Sequence, residues 1–110
     1  MAADDKQPTP EELAKAAFRQ IRNDVARLFA AWDPLSLRGL PNFQKEYDPY
    51  VAPVAVLVRK RASTADLVEH LTNVCRDEWR LPPDRRKIAE MAEKFRRTGG
   101  FLDVPEAAKP

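Results

Sequence analysis

His70 and Cys75 are the only histidine and the only cysteine in the chain, so most of the nucleophilic and redox chemistry open to it must run through them. Nucleophilic catalysis needs a Ser or Cys held beside a base. Placed five residues apart on one helix, these two side chains project about 140° apart and do not meet. His70 borders an apolar stripe and reads as a boundary histidine. Cys75 reads as core, where a thiol behaves as a small hydrophobe. Neither stands in a metal-ligand spacing, and a single cysteine forms no intramolecular disulfide. Three glycines, two of them adjacent at 99 and 100, make no phosphate-cradling loop.

Asp33, Glu46 and Asp48 are the acids with a claim to chemistry, because paired carboxylates at modest separation do acid–base or metal work. Glu46 and Asp48 share a face if the chain is extended there. Asp33 and Asp48 each precede proline, however, an arrangement that starts a turn or a helix, and capping is the simpler account. The same three acids flank Trp32, Tyr47 and Tyr50, and aromatic side chains with polar tips are favoured at protein interfaces. Trp32 reads as a seal between loop and core. Tyr47, Tyr50, Asp33, Glu46 and Asp48 form the expected partner-binding set. With no catalytic constellation, an enzyme is the least favoured class, and neither a metal nor another cofactor is expected.

Lys15, Arg19 and Arg22 fall within a 60° arc of one helix, beside its apolar stripe. Arg59-Lys60-Arg61 and Arg96-Arg97 end helices, where cations suit the negative end of the helix dipole. Arg85, Arg86 and Lys87 have no such reason, because they occupy a first turn, where the dipole disfavours them. Pairs four apart, Arg86 with Glu90, Glu90 with Lys94 and Glu93 with Arg97, offer a salt-bridged surface as the plain account. Together with Lys15, Arg19 and Arg22, they form the alternative reading, a weak nucleic-acid-binding face. The charge balance lends it little. The net charge is +2, and residues 1–8 and 98–110 each carry −1, which leaves a mild +4 for residues 9–97.

The elements that position these residues are outlined by ten prolines, at 8, 10, 34, 41, 49, 53, 82, 83, 105 and 110. Thr9-Pro10-Glu11-Glu12 is a capping box with proline at the first helical position, and Phe18, Ile21, Val25, Leu28, Phe29 and Trp32 follow on one stripe. This predicts a helix over 10–32, stopped by Asp33-Pro34. Residues 33–48 show no persistent period and predict a long ordered loop with room for a helical turn. Asp48-Pro49 repeats the cap-plus-proline signal, and Val54–Val58 reads as a buried helix ending near Arg61 rather than as a strand without a partner. Ser63-Thr64-Ala65-Asp66 opens a third helix with Leu67, Val68, Leu71, Val74, Cys75 and Trp79 on its face. Pro83 or Asp84 opens a fourth with Ile88, Met91, Ala92 and Phe95 inward, ended by a left-handed Gly99.

Trp32-Asp33-Pro34-Leu35, Glu46-Tyr47-Asp48 with Tyr50, Ala62-Ser63 opening a helix with Leu67 and Leu71, and Leu81 before the last helix resemble a group of small bacterial all-helical proteins classed only as a domain of unknown function. The resemblance covers roughly residues 28–95, with the Trp-Asp-Pro and Glu-Tyr-Asp triplets its most specific parts. Arg61 and Arg80 depart from it, standing where that pattern tends to have glycine. The resemblance implies a helical fold and no established activity.

The expectation is therefore an all-α, four-helix domain over residues 9–98, with a flexible arm at 1–8 and a flexible tail at 99–110. Phe101 and Leu102 are placed to dock on the bundle. The longest uncharged run, residues 49–58, is half the roughly 20 residues a membrane helix needs, and the acidic N-terminus is no secretory signal. No membrane partner and a cytoplasmic location follow. The function expected is a non-enzymatic protein-interaction domain with an unidentified partner, such as a small intracellular inhibitor of the immunity-protein kind. Homodimerisation through a leftover apolar face stays open.

Overall fold

The computed structural model of the chain describes residues 8–100. Residues 1–7 and 101–110, which hold nearly all of the expected arm and tail and the expected docking of Phe101 and Leu102, lie outside it. The described residues form four α-helices and no strand.

Helix α1 spans Pro10–Trp32. The capping box is complete: the Glu12 amide donates to Thr9 Oγ1 at 3.0 Å, and the Thr9 amide donates to Glu12 Oε1 at 2.9 Å. Ile21, Val25 and Phe29 of its apolar stripe are fully buried. The helix stops at Asp33, which takes the left-handed conformation (φ 49°) because the ring of Pro34 disfavours the right-handed one before it.

The long loop expected after α1 is not what forms. Residues 33–42 fold into two turns, closed by Ser36 N–H to the Asp33 carbonyl (3.0 Å) and Leu40 N–H to the Leu37 carbonyl (2.8 Å). A 3-10 helix, Phe43–Tyr47, then runs straight into α2. Asp33, Ser36 and Asn42 take the positive φ values these reversals need, although the glycine of the segment, Gly39, does not. Five residues of 3-10 helix are too short to display a hydrophobic period.

Helix α2 spans Asp48–Arg59 and absorbs Val54–Val58 as helix. Asp48 is its first helical residue rather than its cap and makes no capping bond, because the 3-10 turn before it supplies the nucleus. Pro53 sits inside the helix without delaying it. The helix ends in a Schellman turn, in which Ala62 N–H donates to the Leu57 carbonyl and Arg61 N–H to that of Val58, with Arg61 left-handed at φ 63°.

Helix α3, Thr64–Asn73, begins on the expected Ser63–Asp66 capping box. The apolar pattern implies one continuous helix to Trp79, but Val74–Glu78 widens into a π-turn in which Trp79 N–H reaches back to Val74 at 3.0 Å. Such a turn fits an extra residue into the coil without changing the residue types. Arg80 follows, left-handed at φ 54°. Helix α4, Arg85–Arg97, is capped by the Asp84 carboxylate on the Lys87 amide (3.1 Å). Ile88, Met91, Ala92 and Phe95 are buried as expected. Its end differs from expectation: no described glycine has positive φ, and the Thr98 hydroxyl instead donates to the Phe95 carbonyl at 2.7 Å.

Two helical hairpins result. Arg59, at the end of α2, lies over Phe18 near the start of α1, whereas Tyr47 lies against Phe29, so α1 and α2 are antiparallel. Thr64 bonds to Glu93 at 2.8 Å, which makes α3 and α4 antiparallel too. Phe29 joins the pairs, with its ring 4.9 Å from Phe95 and 6.4 Å from Trp79 between centroids. None of the four helices is long and apolar enough to cross a membrane.

Arg61 and Arg80 thus occupy the left-handed positions that helix ends usually give to glycine. A Cβ there costs about 1–2 kcal/mol, and glycine gives back about 0.5–1 kcal/mol in unfolded-chain entropy. Arg80→Gly is expected to raise the free energy of unfolding by up to about 1 kcal/mol, read from the midpoint of urea denaturation. A midpoint that falls would show that the Arg80 side chain contributes more than its backbone costs.

Candidate functional site

The Trp-Asp-Pro and Glu-Tyr-Asp triplets meet in space, and their chemistry is spent inside the molecule. Tyr47 is 1% exposed. Its hydroxyl donates to Asp33 Oδ1 at 2.7 Å and accepts the Leu35 amide at 2.9 Å. The Asp33 carboxylate also accepts the amides of Leu37 (2.8 Å) and Arg38 (2.9 Å). Arg38, to which the sequence reading assigned no role, donates to the carbonyls of Ala30 and Ala31 at 3.1 Å each. It caps the end of α1, whose own last turn has no basic residue.

These contacts set the electrostatics. Burial pushes the Asp33 carboxyl up, but the Tyr47 hydroxyl, the Leu37 and Arg38 amides and the Arg38 charge together hold it below the ordinary carboxylate value. Burial, reinforced by the hydrogen bond to Asp33, pushes the Tyr47 phenol well above the usual tyrosine value. Tyr47 keeps its proton and Asp33 lacks one, so the pair works as a fixed donor and acceptor holding the α1–α2 connection.

Of the expected partner-binding set, Tyr47 has no side-chain surface to offer. Tyr50 is half-buried, its ring edge-on to Trp79 at 4.9 Å. Asp33 is engaged in the connection. Only Glu46 and Asp48 are exposed, and the chain between them is not extended, because Glu46 lies within the 3-10 helix and Asp48 starts α2. Trp32 packs on Phe29 and Trp79, at 6.1 and 6.2 Å between centroids. Cys75 is core at 4% exposure. His70 is half-buried, and that burial lowers its basicity. No group of three or more His, Cys, Asp or Glu side chains among the described residues is arranged to hold a metal ion.

The two basic groups stand on different helices, Lys15, Arg19 and Arg22 on α1 and Arg85, Arg86 and Lys87 in the first turn of α4. On α4, Lys87 and Lys94 both pair with Glu90 (3.6 and 3.2 Å), and Arg96 pairs with Glu93 at 3.7 Å. Glu90–Lys94 is an expected pair, whereas Lys87–Glu90 and Arg96–Glu93 take three-residue spacings instead of the expected Arg86–Glu90 and Glu93–Arg97.

What the sequence did not disclose is a surface shared by α1 and α2. A groove of about 330 Å³ is lined by Arg22, Asn23 and Ala26 of α1 and by Asp48, Val51 and Ala52 of α2. Arg22 also lines a second hollow of about 270 Å³ with Lys15, Phe18 and Arg19. The Arg59 guanidinium sits 4.5 Å over the Phe18 ring and that of Arg22 lies 5.8 Å away. Arg22 was legible as a member of the basic arc. Arg59 was not, since the helix dipole already accounts for it. The search for related proteins, by family models, among curated proteins and among solved structures, finds no match.

Proposed function

We propose that the protein is a non-enzymatic protein-interaction domain whose contact surface is the α1–α2 groove. The observation that carries this reading is the make-up of the groove. Ala26, Val51 and Ala52 offer an apolar floor, and Arg22, Asn23 and Asp48 supply both signs of charge and a neutral amide at its rim. An apolar centre inside a polar rim is the anatomy of a protein contact. It also replaces the Tyr47-centred surface, whose polar atoms are satisfied internally. A small inhibitor of the immunity-protein kind is one form such a module takes. The nucleic-acid reading is less well supported, because Lys87 is already paired with Glu90 and the positive excess of residues 9–97 is mild.

Ala52 is exposed, so Ala52→Arg fills the groove at little cost to folding. Affinity capture from the native cell is expected to recover a protein partner with the wild-type chain and to lose it with Ala52→Arg, while both unfold at the same denaturant concentration. Capture that recovers no protein, or a partner retained by Ala52→Arg, would overturn the reading.

A further inference from the structure

We infer that the occupant of the α1–α2 groove is an acidic amphipathic helix of the partner protein, an inference that rests on the interaction reading above. Three features of the surface select it.

The first is charge. Lys15, Arg19 and Arg22 follow one another at intervals of about 6 and 4.5 Å along α1, and Arg59 joins them from α2 across the Phe18 ring. None of the four has an ion pair among the described residues. Asp24, the acid nearest the arc in sequence, is taken by Gln20 and Arg27, and Glu12 by the Thr9 amide. Four cations gathered about Phe18 beside the groove, with no acidic partner among the described residues, complement carboxylates spaced three and four residues apart on a facing helix.

The second is backbone chemistry. Both walls of the groove are helices, whose amides and carbonyls are bonded within themselves, so no strand edge is available to pair an extended peptide. The occupant has to satisfy its own backbone, as a helix does. From Lys15 to Ala26 the surface runs about 16 Å, or three helical turns.

The third separates a protein from a nucleic acid. The floor of Ala26, Val51 and Ala52 suits aliphatic side chains, and Asp48 stands at the α2 side of the same groove. A phosphate backbone lying along the cations would run onto that carboxylate. A helix can present a neutral or basic residue there.

The test is a displayed library of amphipathic helices of about four turns, with aliphatic residues fixed on one face and the flanking positions randomised, selected against the full chain. Enrichment of Asp and Glu at three- and four-residue spacings is expected. Binding of the enriched helices should weaken about tenfold or more in the Arg19→Glu/Arg22→Glu variant, and urea denaturation of that variant, whose two sites are exposed, checks that it folds. Enrichment of neutral or basic helices would overturn the inference. So would the recovery of no helix at all, and if capture sensitive to Ala52→Arg persisted in that case, the interaction reading would stand without the acidic helix. Tighter binding of a duplex or single-stranded oligonucleotide than of any selected helix, abolished by the same double variant, would overturn both in favour of nucleic acid.

Discussion

Phe29→Ala is expected to lower the free energy of unfolding by about 3–5 kcal/mol. Phe29 is fully buried and its ring meets those of Trp32, Tyr47, Trp79 and Phe95, which come from both hairpins. It stacks with Trp32 and Tyr47 at 6.1 and 5.9 Å on the α1–α2 side, and it meets Trp79 and Phe95 at 6.4 and 4.9 Å on the α3–α4 side. Truncation removes a ring from a close-packed centre and leaves a cavity whose walls belong to four different segments, so collapse around it is limited. Domains of this size are held by about 5–15 kcal/mol in all, and the variant should be close to unfolded at room temperature. Urea denaturation followed by tryptophan fluorescence measures it directly, because Trp32 and Trp79 both touch the deleted ring. A loss below about 1 kcal/mol would show that the hairpins are joined elsewhere. Phe95→Ala opens the same space, and the double variant should cost less than the two single losses added together.

The second large effect concerns pH. Tyr47→Phe keeps the buried ring but strips the Leu35 amide of its acceptor and Asp33 of its shortest hydrogen bond, and it should cost about 1–3 kcal/mol. The sign of the pH dependence follows from the direction of each shift. Asp33 is held below its ordinary value of 3.8 in the folded chain. Its contribution is therefore present above that value and is lost as pH falls through the folded pKa beneath it. Tyr47 is held above its ordinary value of 10.0. The unfolded chain releases that proton as pH rises past 10 while the folded chain retains it, so stability declines on the alkaline side. The Tyr47–Asp33 pair thus shapes both limbs of the stability profile, the alkaline one chiefly through burial of the phenol. Tyr47→Phe should flatten the alkaline limb and weaken the acid one, and Asp33→Asn should remove its own share of the acid limb. Identical pH profiles for wild type and Tyr47→Phe would show that the bond carries no linkage.

The helix ends were legible where a local rule decides them. Thr9 with Glu12 and Ser63 with Asp66 are capping boxes because the bonds run only three residues along the chain, and the buried face of α4 follows from spacing alone. The candidate site was legible in part. The triplets around Asp33 and Tyr47 do come together, but their residue types suit an exposed interface as well as an internal hydrogen bond, and only burial distinguishes the two. The 3-10 helix before α2 and the π-turn after α3 left no mark in the pattern. Each is five residues long, shorter than two turns of a helix.

By itself, the amino-acid sequence determined that this chain is helical, where α1 and α3 start and which faces of α1 and α4 turn inward, because capping bonds and apolar spacing act within one or two turns. The tertiary structure alone decided that Tyr47 is a buried strut, that Arg59 joins Arg22 at the Phe18 ring, and that Arg22 shares a groove with Val51 and Ala52. Those outcomes depend on which hairpin packs on which and in what direction, and residues some thirty positions apart meet only once that packing has formed.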